Sequence, residues 1–141
     1  MSIDQQNDPQ ISHILGIDFG EAKVGLALAD FETKIAFAYN TLENDKNFLE
    51  NLLKIIQKEN ISKIIIGVPS YINKKEVVYE GEKLGEMIKK SLPKMEIEYQ
   101  NEMFTTKMAQ ANLIAKKVKG VKRFDDQEAA RIILQSWLDK K

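Results

Sequence analysis

Short apolar stretches separated by polar turns occupy the N-terminal third of the chain. Residues 13–18 and 24–30 are rich in Ile, Leu, Val and Ala, and the turn FGEAK lies between them. Two such runs joined by a short turn that contains glycine are typical of a β-hairpin. The following stretch TKIAFAYNTL, residues 33–42, alternates apolar and polar positions, which indicates a strand. The pattern therefore predicts an antiparallel meander of three strands.

The period of the apolar positions changes after Asn44. Apolar residues from Phe48 onward recur at helical spacing, which predicts a helix that ends near Asn60. The run KIIIGVP is apolar without alternation, as expected for a strand covered on both faces, and Pro69 ends it. Further along, the pattern predicts a helix over residues 74–90, a strand at MEIEYQ, a helix from Thr105 or Thr106 to Lys119, and a final helix over residues 126–141. We therefore predict a mixed α/β sheet, in which crossover helices join the meander to two parallel strands.

Composition places the chain among globular proteins of one domain. The chain has 141 residues, of which 43% are hydrophobic, and its 21 Lys and Arg residues balance 21 Asp and Glu residues. This length supports one core, and the neutral balance means that any nucleic-acid surface is local. Residues 1–10 are polar and aperiodic, so we expect a disordered tail there and one domain over residues 11–141. The chain has no cysteine, no long apolar run and no signal peptide, so we expect a cytoplasmic protein without a membrane partner.

Three acidic side chains fall near the ends of predicted elements. Asp18 closes the first strand, Glu102 follows the strand MEIEYQ and Asp126 opens the last helix. The carboxyl ends of parallel strands are where sites form in α/β sheets. Three carboxylates in one cleft repel one another unless a cation neutralises them, and hard oxygen ligands suit Mg²⁺ or Mn²⁺. The spacing alone equally fits ordinary turn and capping acids.

The neighbouring acid Asp125 has a structural interpretation. Asp125 and Glu128 are three residues apart, like the two ends of a capping box, so we expect Asp125 to cap the last helix. Asp126 then lies in the first helical turn with its carboxylate directed outwards.

Four sequence blocks carry a resemblance to a known family. They are LGIDFGEAKVGLA at residues 15–27, GVP at residues 67–69, NEMFTT at residues 101–106 and DQEAARIILQSWLD at residues 126–139. With these blocks in this order and spacing, the chain resembles the YqgF family, the RuvX-like group of Holliday junction resolvases and pre-16S rRNA nucleases.

The resemblance implies an α/β protein with an RNase H-like fold, in which helices flank a mixed five-stranded sheet. It implies a metal-dependent nuclease that acts on structured nucleic acid. The implied process is 5′-end processing of pre-16S rRNA in ribosome biogenesis, or resolution of Holliday junctions in DNA recombination. The acidic positions of the family fall on Asp18, Glu102 and Asp126, which are the implied catalytic residues and ligands of Mg²⁺ or Mn²⁺.

Two positions depart from the family pattern. Asn101 stands where the family has aspartate, and Met103 stands where it has arginine, so a negative charge and a phosphate-binding fork are lost. Lys23 occupies an arginine position and keeps the positive charge. These changes predict reduced endonuclease activity or, as an alternative, a nucleic-acid-binding module of the same fold that cleaves weakly or not at all.

A basic cluster precedes the last predicted helix. Its members are Lys116, Lys117, Lys119, Lys122 and Arg123. We expect these side chains and Lys23 to bind the sugar-phosphate backbone of pre-rRNA or branched DNA, largely independently of its sequence. The same lysines equally suit a solvated helix end.

The hairpin IDFGEAKVGLALAD also resembles the first phosphate-binding hairpin of actin-like sugar kinases and ATPases. Those proteins close over a nucleotide with a second domain of this kind, and this chain is too short to contain one. Nucleotide binding therefore stays a minor alternative. The predicted helices and strands show no exposed apolar seam, so we expect a monomer or a weak homodimer.

Overall fold

The computed structural model describes residues 12–68, 80–101 and 121–141. The strands in these ranges are β1 (His13–Phe19), β2 (Lys23–Ala29), β3 (Phe37–Glu43), β4 (Ile61–Val68) and β5 (Glu96–Asn101). The helices are α1 (Phe48–Lys58), α2 (Glu80–Ser91) and α3 (Val121–Leu138). Within this part of the chain, no helix combines the length and the apolar character that a membrane span requires.

The five strands form one mixed sheet in the order β3-β2-β1-β4-β5. β1 pairs antiparallel with β2, and β2 pairs antiparallel with β3. β4 pairs parallel with β1, and β5 pairs parallel with β4. A parallel neighbour requires a crossover connection, and α1 lies in the connection between β3 and β4. The predicted meander of three strands joined to two parallel strands is confirmed.

Large aliphatic and aromatic side chains cover one face of the sheet. Leu15 and Ile17 of β1, and Ile64 and Ile66 of β4, point to this face and are fully buried. The helices α1 and α2 pack on it through Phe48, Leu52, Ile56, Leu84 and Ile88. Burial of each such side chain stabilises the fold by about 1.5–3 kcal/mol. The helical spacing of apolar residues seen in the sequence of α1 therefore reflects its contact with this core.

Helix α3 covers the opposite face, where the sheet carries alanine and glycine beside Ile14 and Ile65. Ala27 and Ala29 of β2 belong to the cluster that α3 forms with this face. A Cβ atom built on Gly16 of β1 would lie 2.8 Å from Leu134 Cβ and 3.1 Å from the carbonyl oxygen of Ala130. These distances are shorter than close-packed protein atoms adopt. The missing side chain therefore allows α3 to lie close to the sheet.

A polar network anchors the C-terminal end of α3 to β4 and β5. The indole Nε1 of Trp137 donates a hydrogen bond to Glu98 Oε1 at 2.8 Å. Lys63 Nζ lies 2.9 Å from Glu98 Oε2 and 2.9 Å from Glu96 Oε1, and 5.5 Å from the ring centroid of Trp137. The hydrogen bonds from Lys63 and then from Trp137 hold the pKa of the Glu98 carboxyl below its ordinary value.

The last helix begins earlier than the sequence predicted. α3 starts at Val121, five residues before Asp126, so the predictions that Asp125 caps this helix and that Asp126 lies in its first turn are wrong. The residues between them include Lys, Arg and Phe, which a helix accommodates without a capping signal. Glu128 accepts hydrogen bonds from Arg131, from Nη2 at 2.6 Å and from Nε at 3.1 Å.

The third strand begins later than predicted, at Phe37 instead of Thr33. Asp30 Oδ1 accepts hydrogen bonds from the Thr33 backbone N–H at 2.8 Å and from its hydroxyl at 3.1 Å. Lys34 donates its N–H to the Asp30 carbonyl at 3.1 Å and has a φ of 56°. An Asp side chain that bonds to the following backbone favours a turn over a strand.

Several predictions concern residues outside the described ranges. The predicted tail over residues 1–10 lies there, and so does the predicted helix that ends at Lys119. The predicted helix over residues 74–90 is described from Glu80 onward as α2.

Candidate metal and nucleic-acid site

Asp18 lies at the carboxyl end of β1 on the face that α3 covers. Successive strand residues point to opposite faces of a sheet. Gly16 contacts α3, whereas Ile17 belongs to the core under α1 and α2. Asp18 continues the series of Gly16 and is half-buried. The register sets it opposite Gly25 of β2.

Helix α3 brings Asp126 to the same place. A Cβ atom built on Gly25 would overlap the carbonyl group of Asp126 and lie 2.9 Å from its Cβ, so the helix backbone rests on this glycine. Gly25 is also the β2 partner of Asp18, and paired Cα atoms of antiparallel strands are about 4.5–5.5 Å apart. Asp18 and Asp126, two of the three predicted acids, are therefore neighbours around one glycine.

Lys23 flanks these two acids. It lies two residues before Gly25 on β2 and therefore on the same face of the strand. Its Nζ lies 2.9 Å from Glu43 Oε2, and the register pairs the two residues across β2 and β3. The hydrogen bond and the charge of Glu43 raise the pKa of the Lys23 ammonium, and the charge of Asp126 adds to the rise. The predicted phosphate-binding cation thus lies near the acids in an ion pair with Glu43.

Asn44 holds the turn between β1 and β2 next to Asp18. Its side-chain Nδ2 donates to the Gly20 carbonyl at 2.7 Å, and its backbone N–H donates to the Ala22 carbonyl at 2.9 Å. The N–H of Gly20 donates to the Lys23 carbonyl at 3.1 Å and closes the turn. Sequence reasoning missed this role, because Asn44 lies just after β3 and no local pattern connects it to the turn.

The ends of β4 and β5 lie at the same edge of the sheet. Gly67 of β4 pairs with Gln100 of β5. Gln100 is buried, and its Oε1 accepts a hydrogen bond from Lys140 Nζ at 3.2 Å. β5 ends at Asn101. Glu102, the third predicted acid, follows directly in the sequence and lies outside the described residues.

The predicted basic cluster is described only in part. Lys122 and Arg123 lie in the first turn of α3, four and three residues before Asp126. The other members lie outside the described residues, as does Met103; they are Lys116, Lys117 and Lys119.

The donor chemistry of Asp18 and Asp126 fits a divalent metal ion. Carboxylate oxygens are hard ligands, and Mg²⁺ is commonly held by one or two carboxylates together with water and phosphate oxygens. Among residues 12–68, 80–101 and 121–141, no group of three or more His, Cys, Asp or Glu side chains is arranged to hold a metal ion. Asp18 and Asp126 are two carboxylates of the kind that Mg²⁺ sites use, and Lys23 lies beside them.

Comparison with protein families gives a match over nearly the whole chain. The model of the RuvX family, described as a Holliday junction resolvase, matches residues 12–140. This range includes Asp18, Glu102 and Asp126. It begins at the first residue that the structure describes and ends one residue before the last.

Two bacterial relatives are similar along the same length. The "Putative pre-16S rRNA nuclease" of Bacteroides fragilis is 32% identical over 137 residues, which cover 93% of this chain and 99% of the relative. A protein of the same name from Staphylococcus saprophyticus is 33% identical over 135 residues, which cover 89% of this chain and 94% of the relative. The chain thus spans nearly the full length of both proteins.

Solved structures share the fold at low sequence identity. RuvC of T. thermophilus in complex with a Holliday junction substrate gives a TM-score of 0.59 at 15% identity, covering 91% of this chain and 94% of that chain. The Fowlpox virus resolvase in complex with Holliday junction DNA gives a TM-score of 0.62 at 13% identity, covering 91% of this chain and 97% of that chain. These likenesses confirm the predicted RNase H-like fold.

Proposed function

Since the chain belongs to the RuvX family, we propose that it is a metal-dependent endonuclease that cuts phosphodiester bonds in structured nucleic acid. The contact of α3 with Gly25 is the main support for this proposal, because it brings Asp126 close to Asp18. The names of the relatives support pre-16S rRNA as substrate. We propose that the chain cuts this RNA at its 5′ end during ribosome biogenesis in the cytoplasm. The description of the family supports Holliday junctions as the other substrate.

In this proposal Asp18 and Asp126 hold one Mg²⁺ or Mn²⁺ ion, and Glu102 supplies a third carboxylate. Such an ion provides Lewis acidity towards a phosphoryl oxygen and lowers the pKa of the attacking water in an in-line hydrolysis. The two half-buried carboxylates favour a divalent cation, because close like charges repel each other in its absence. Lys23 supplies positive charge for the phosphodiester beside the acids.

The proposed nucleic-acid surface extends from Lys23 to the beginning of α3. Lys122 and Arg123 precede Asp126 by four and three residues, which is the spacing of residues on one side of a helix. Contacts from such cations to the sugar-phosphate backbone orient the substrate without reading its sequence. These contacts weaken as the salt concentration rises. The remaining members of the surface are Lys116, Lys117 and Lys119.

The two departures from the family pattern lower the expected cleavage rate. Met103 supplies no donor to phosphate where arginine offers a planar fork, and Asn101 lacks the charge of aspartate. We therefore expect Met103→Arg to raise the rate about ten- to a hundredfold, because one charge-assisted contact contributes roughly 1.5–3 kcal/mol. Met103→Gln, which adds a neutral polar group, is the matched control and leaves the rate near that of the parent.

The test is cleavage of a labelled pre-16S rRNA fragment and of a four-way DNA junction by the purified chain. The proposal predicts cut products with Mn²⁺ or Mg²⁺ and none after chelation. The substrate that is cut faster at equal concentration identifies the preferred class. Intact RNA and intact junction in every metal condition contradict the enzyme proposal.

A nucleic-acid-binding module is the second candidate, favoured by Asn101 and Met103 on either side of Glu102. Such a module binds RNA or junction DNA with an affinity that falls steeply with salt, and it retains that affinity in Asp18→Asn. It produces no cleavage in either form. Metal-dependent cleavage that Asp18→Asn abolishes excludes this candidate.

A further inference from the structure

Gly25 is the place where the backbone of α3 touches β2 beside the candidate site. A Cβ atom on Gly25 would overlap both the carbonyl carbon and the carbonyl oxygen of Asp126, and it would lie 2.9 Å from Asp126 Cβ. All three atoms belong to a proposed metal ligand. Two of them are backbone atoms, which cannot move away by a change of rotamer.

Neither side of this contact can retreat easily. Gly25 lies in the middle of the sheet ladder, where it pairs with Asp18 of β1 and with Thr41 of β3. Along α3, the next turns pack on Gly16 through Ala130 and Leu134. A side chain at position 25 must therefore push the first turns of α3 outward and with them the backbone of residue 126.

We infer that Gly25 is a positioning residue of the nuclease site: its missing side chain keeps the carboxylates of Asp18 and Asp126 close enough to share one divalent cation. This inference rests on the proposed function. Close packing means that even a methyl group at this position displaces the Asp126 backbone by on the order of 1 Å. Displacements of this size cost about a hundredfold in catalytic sites.

The affinity of the full chain for Mn²⁺, measured from the electron paramagnetic resonance signal of the free ion, tests the inference without any substrate. Gly25→Ala is expected to weaken Mn²⁺ binding about tenfold or more, as changes in the support of a metal ligand do. Gly85→Ala is the matched control, because it adds the same methyl group in α2, where the contact is the hydroxyl of Tyr99. We expect Gly85→Ala to bind Mn²⁺ like the parent.

Asp126→Glu distinguishes positioning from a general loosening of the helix. Glutamate is longer by one methylene, so in the parent it overshoots the ion and weakens Mn²⁺ binding. In Gly25→Ala the longer side chain compensates for the displaced helix and strengthens Mn²⁺ binding relative to Gly25→Ala alone. A double-mutant cycle therefore gives opposite signs for Asp126→Glu in the two backgrounds. Equal losses in both backgrounds overturn the inference.

The outcomes separate this inference from the proposed function. A parent chain that binds no Mn²⁺ contradicts the proposed site as a whole. A parent that binds Mn²⁺, with unchanged affinity in a folded Gly25→Ala, overturns the role of Gly25 alone. Circular dichroism reports whether each variant is folded at the temperature of the titration. Where Gly25→Ala does not fold, Asp126→Glu in the parent decides, because parental affinity in that variant overturns the inference.

Discussion

The two faces of the sheet are built from different side chains, and this difference explains where the candidate site lies. The face under α1 and α2 buries large groups such as Leu52 and Ile66. The face under α3 carries glycine and alanine where the helix lies closest, and charged groups towards its ends. Asp18 lies under the N-terminal part of α3, and Glu98 lies beside its C-terminal end.

The groups that stabilise the fold and the groups proposed for chemistry are largely separated across the sheet. Large side chains fill the space between the sheet and the helices α1 and α2, whereas Gly16 and Gly25 allow α3 to bring Asp126 beside Asp18. Substitutions on the two faces should therefore have different signatures. Changes under α1 and α2 should lower stability without altering metal binding, whereas changes of the acidic side chains at the site end of α3 should alter metal binding with little loss of stability.

The largest expected effect is on the α3 face, from Asp18→Asn. Loss of one carboxylate from the proposed site should lower the cleavage rate by at least about a hundredfold, because metal-assisted stabilisation of the transition state contributes several kcal/mol. The midpoint of thermal unfolding should stay close to that of the parent. Glu21→Gln removes an exposed charge from the adjacent turn and serves as the control, with cleavage like the parent's. Parental cleavage by Asp18→Asn shows that the assigned site is wrong.

On the opposite face, Leu52→Ala should lower stability and leave metal binding unchanged. Leu52 is fully buried between α1 and the sheet, so its truncation leaves a cavity and should lower the free energy of unfolding by about 3 kcal/mol. Urea unfolding measures this loss. Below the unfolding transition, the affinity for Mn²⁺ should equal that of the parent. A large loss of Mn²⁺ affinity in the folded variant contradicts the separation of the two faces.

A smaller effect is expected at the far end of α3, from Glu98→Gln. Lys63 and Trp137 lower the pKa of the Glu98 carboxyl, so its ionised form stabilises the fold above the ordinary pKa of 4.5, and that stabilisation is lost as the pH falls through the lowered pKa. Near neutral pH the variant should be less stable because it loses the charge of the carboxylate. The loss should be only about 1 kcal/mol, because solvent screens the partly exposed carboxylate. Thermal unfolding at several pH values should show the difference closing below pH 4.5.

Glu96→Gln is the control for that experiment, because Glu96 contacts the same lysine but its side chain is 68% exposed. It should change stability less than Glu98→Gln at every pH. A difference between the parent and Glu98→Gln that persists unchanged at low pH means that the ionised carboxylate is not the source of the stabilisation.

The smallest effect is expected from Glu43→Gln, which releases Lys23 from its ion pair beside the site. A freed ammonium binds phosphate more readily, so affinity for RNA or junction DNA should rise about two- to threefold at low salt and return to the parental value at high salt. Electrophoretic mobility shifts at two salt concentrations measure this change. In Lys23→Ala the second substitution Glu43→Gln should have no such effect, and an equal rise there shows that Lys23 is not the cation involved.

The sequence predicted the sheet because its signals are local. Period-2 and unbroken apolar runs are typical of strands, and the run from Ile64 to Val68 correctly indicated a strand buried on both faces. The prediction failed at two element boundaries. Asp30 bonds to the backbone of Thr33 and delays β3, and α3 begins at Val121 without a capping signal.

The candidate site was predictable only as a set of residue types. Asp18 and Asp126 were identifiable from their places near the ends of predicted elements, but their proximity depends on how closely α3 approaches Gly25. The pairing of Lys23 with Glu43 and the support of Gly20 by Asn44 both join residues 20 or more positions apart. Tertiary contacts of this kind leave no periodicity in a single sequence.

The sharing of one cation by Asp18 and Asp126 is the central claim, and Mn²⁺ titration of four proteins tests it most directly: the parent, Asp18→Asn, Asp126→Asn and the double variant. We expect one tightly bound Mn²⁺ in the parent and a loss of affinity of about tenfold or more in each single variant. We also expect the affinity of the double variant to fall by less than the product of the two losses, because both residues bind the same ion. Parental affinity in either single variant, or two losses that simply multiply, would contradict the claim.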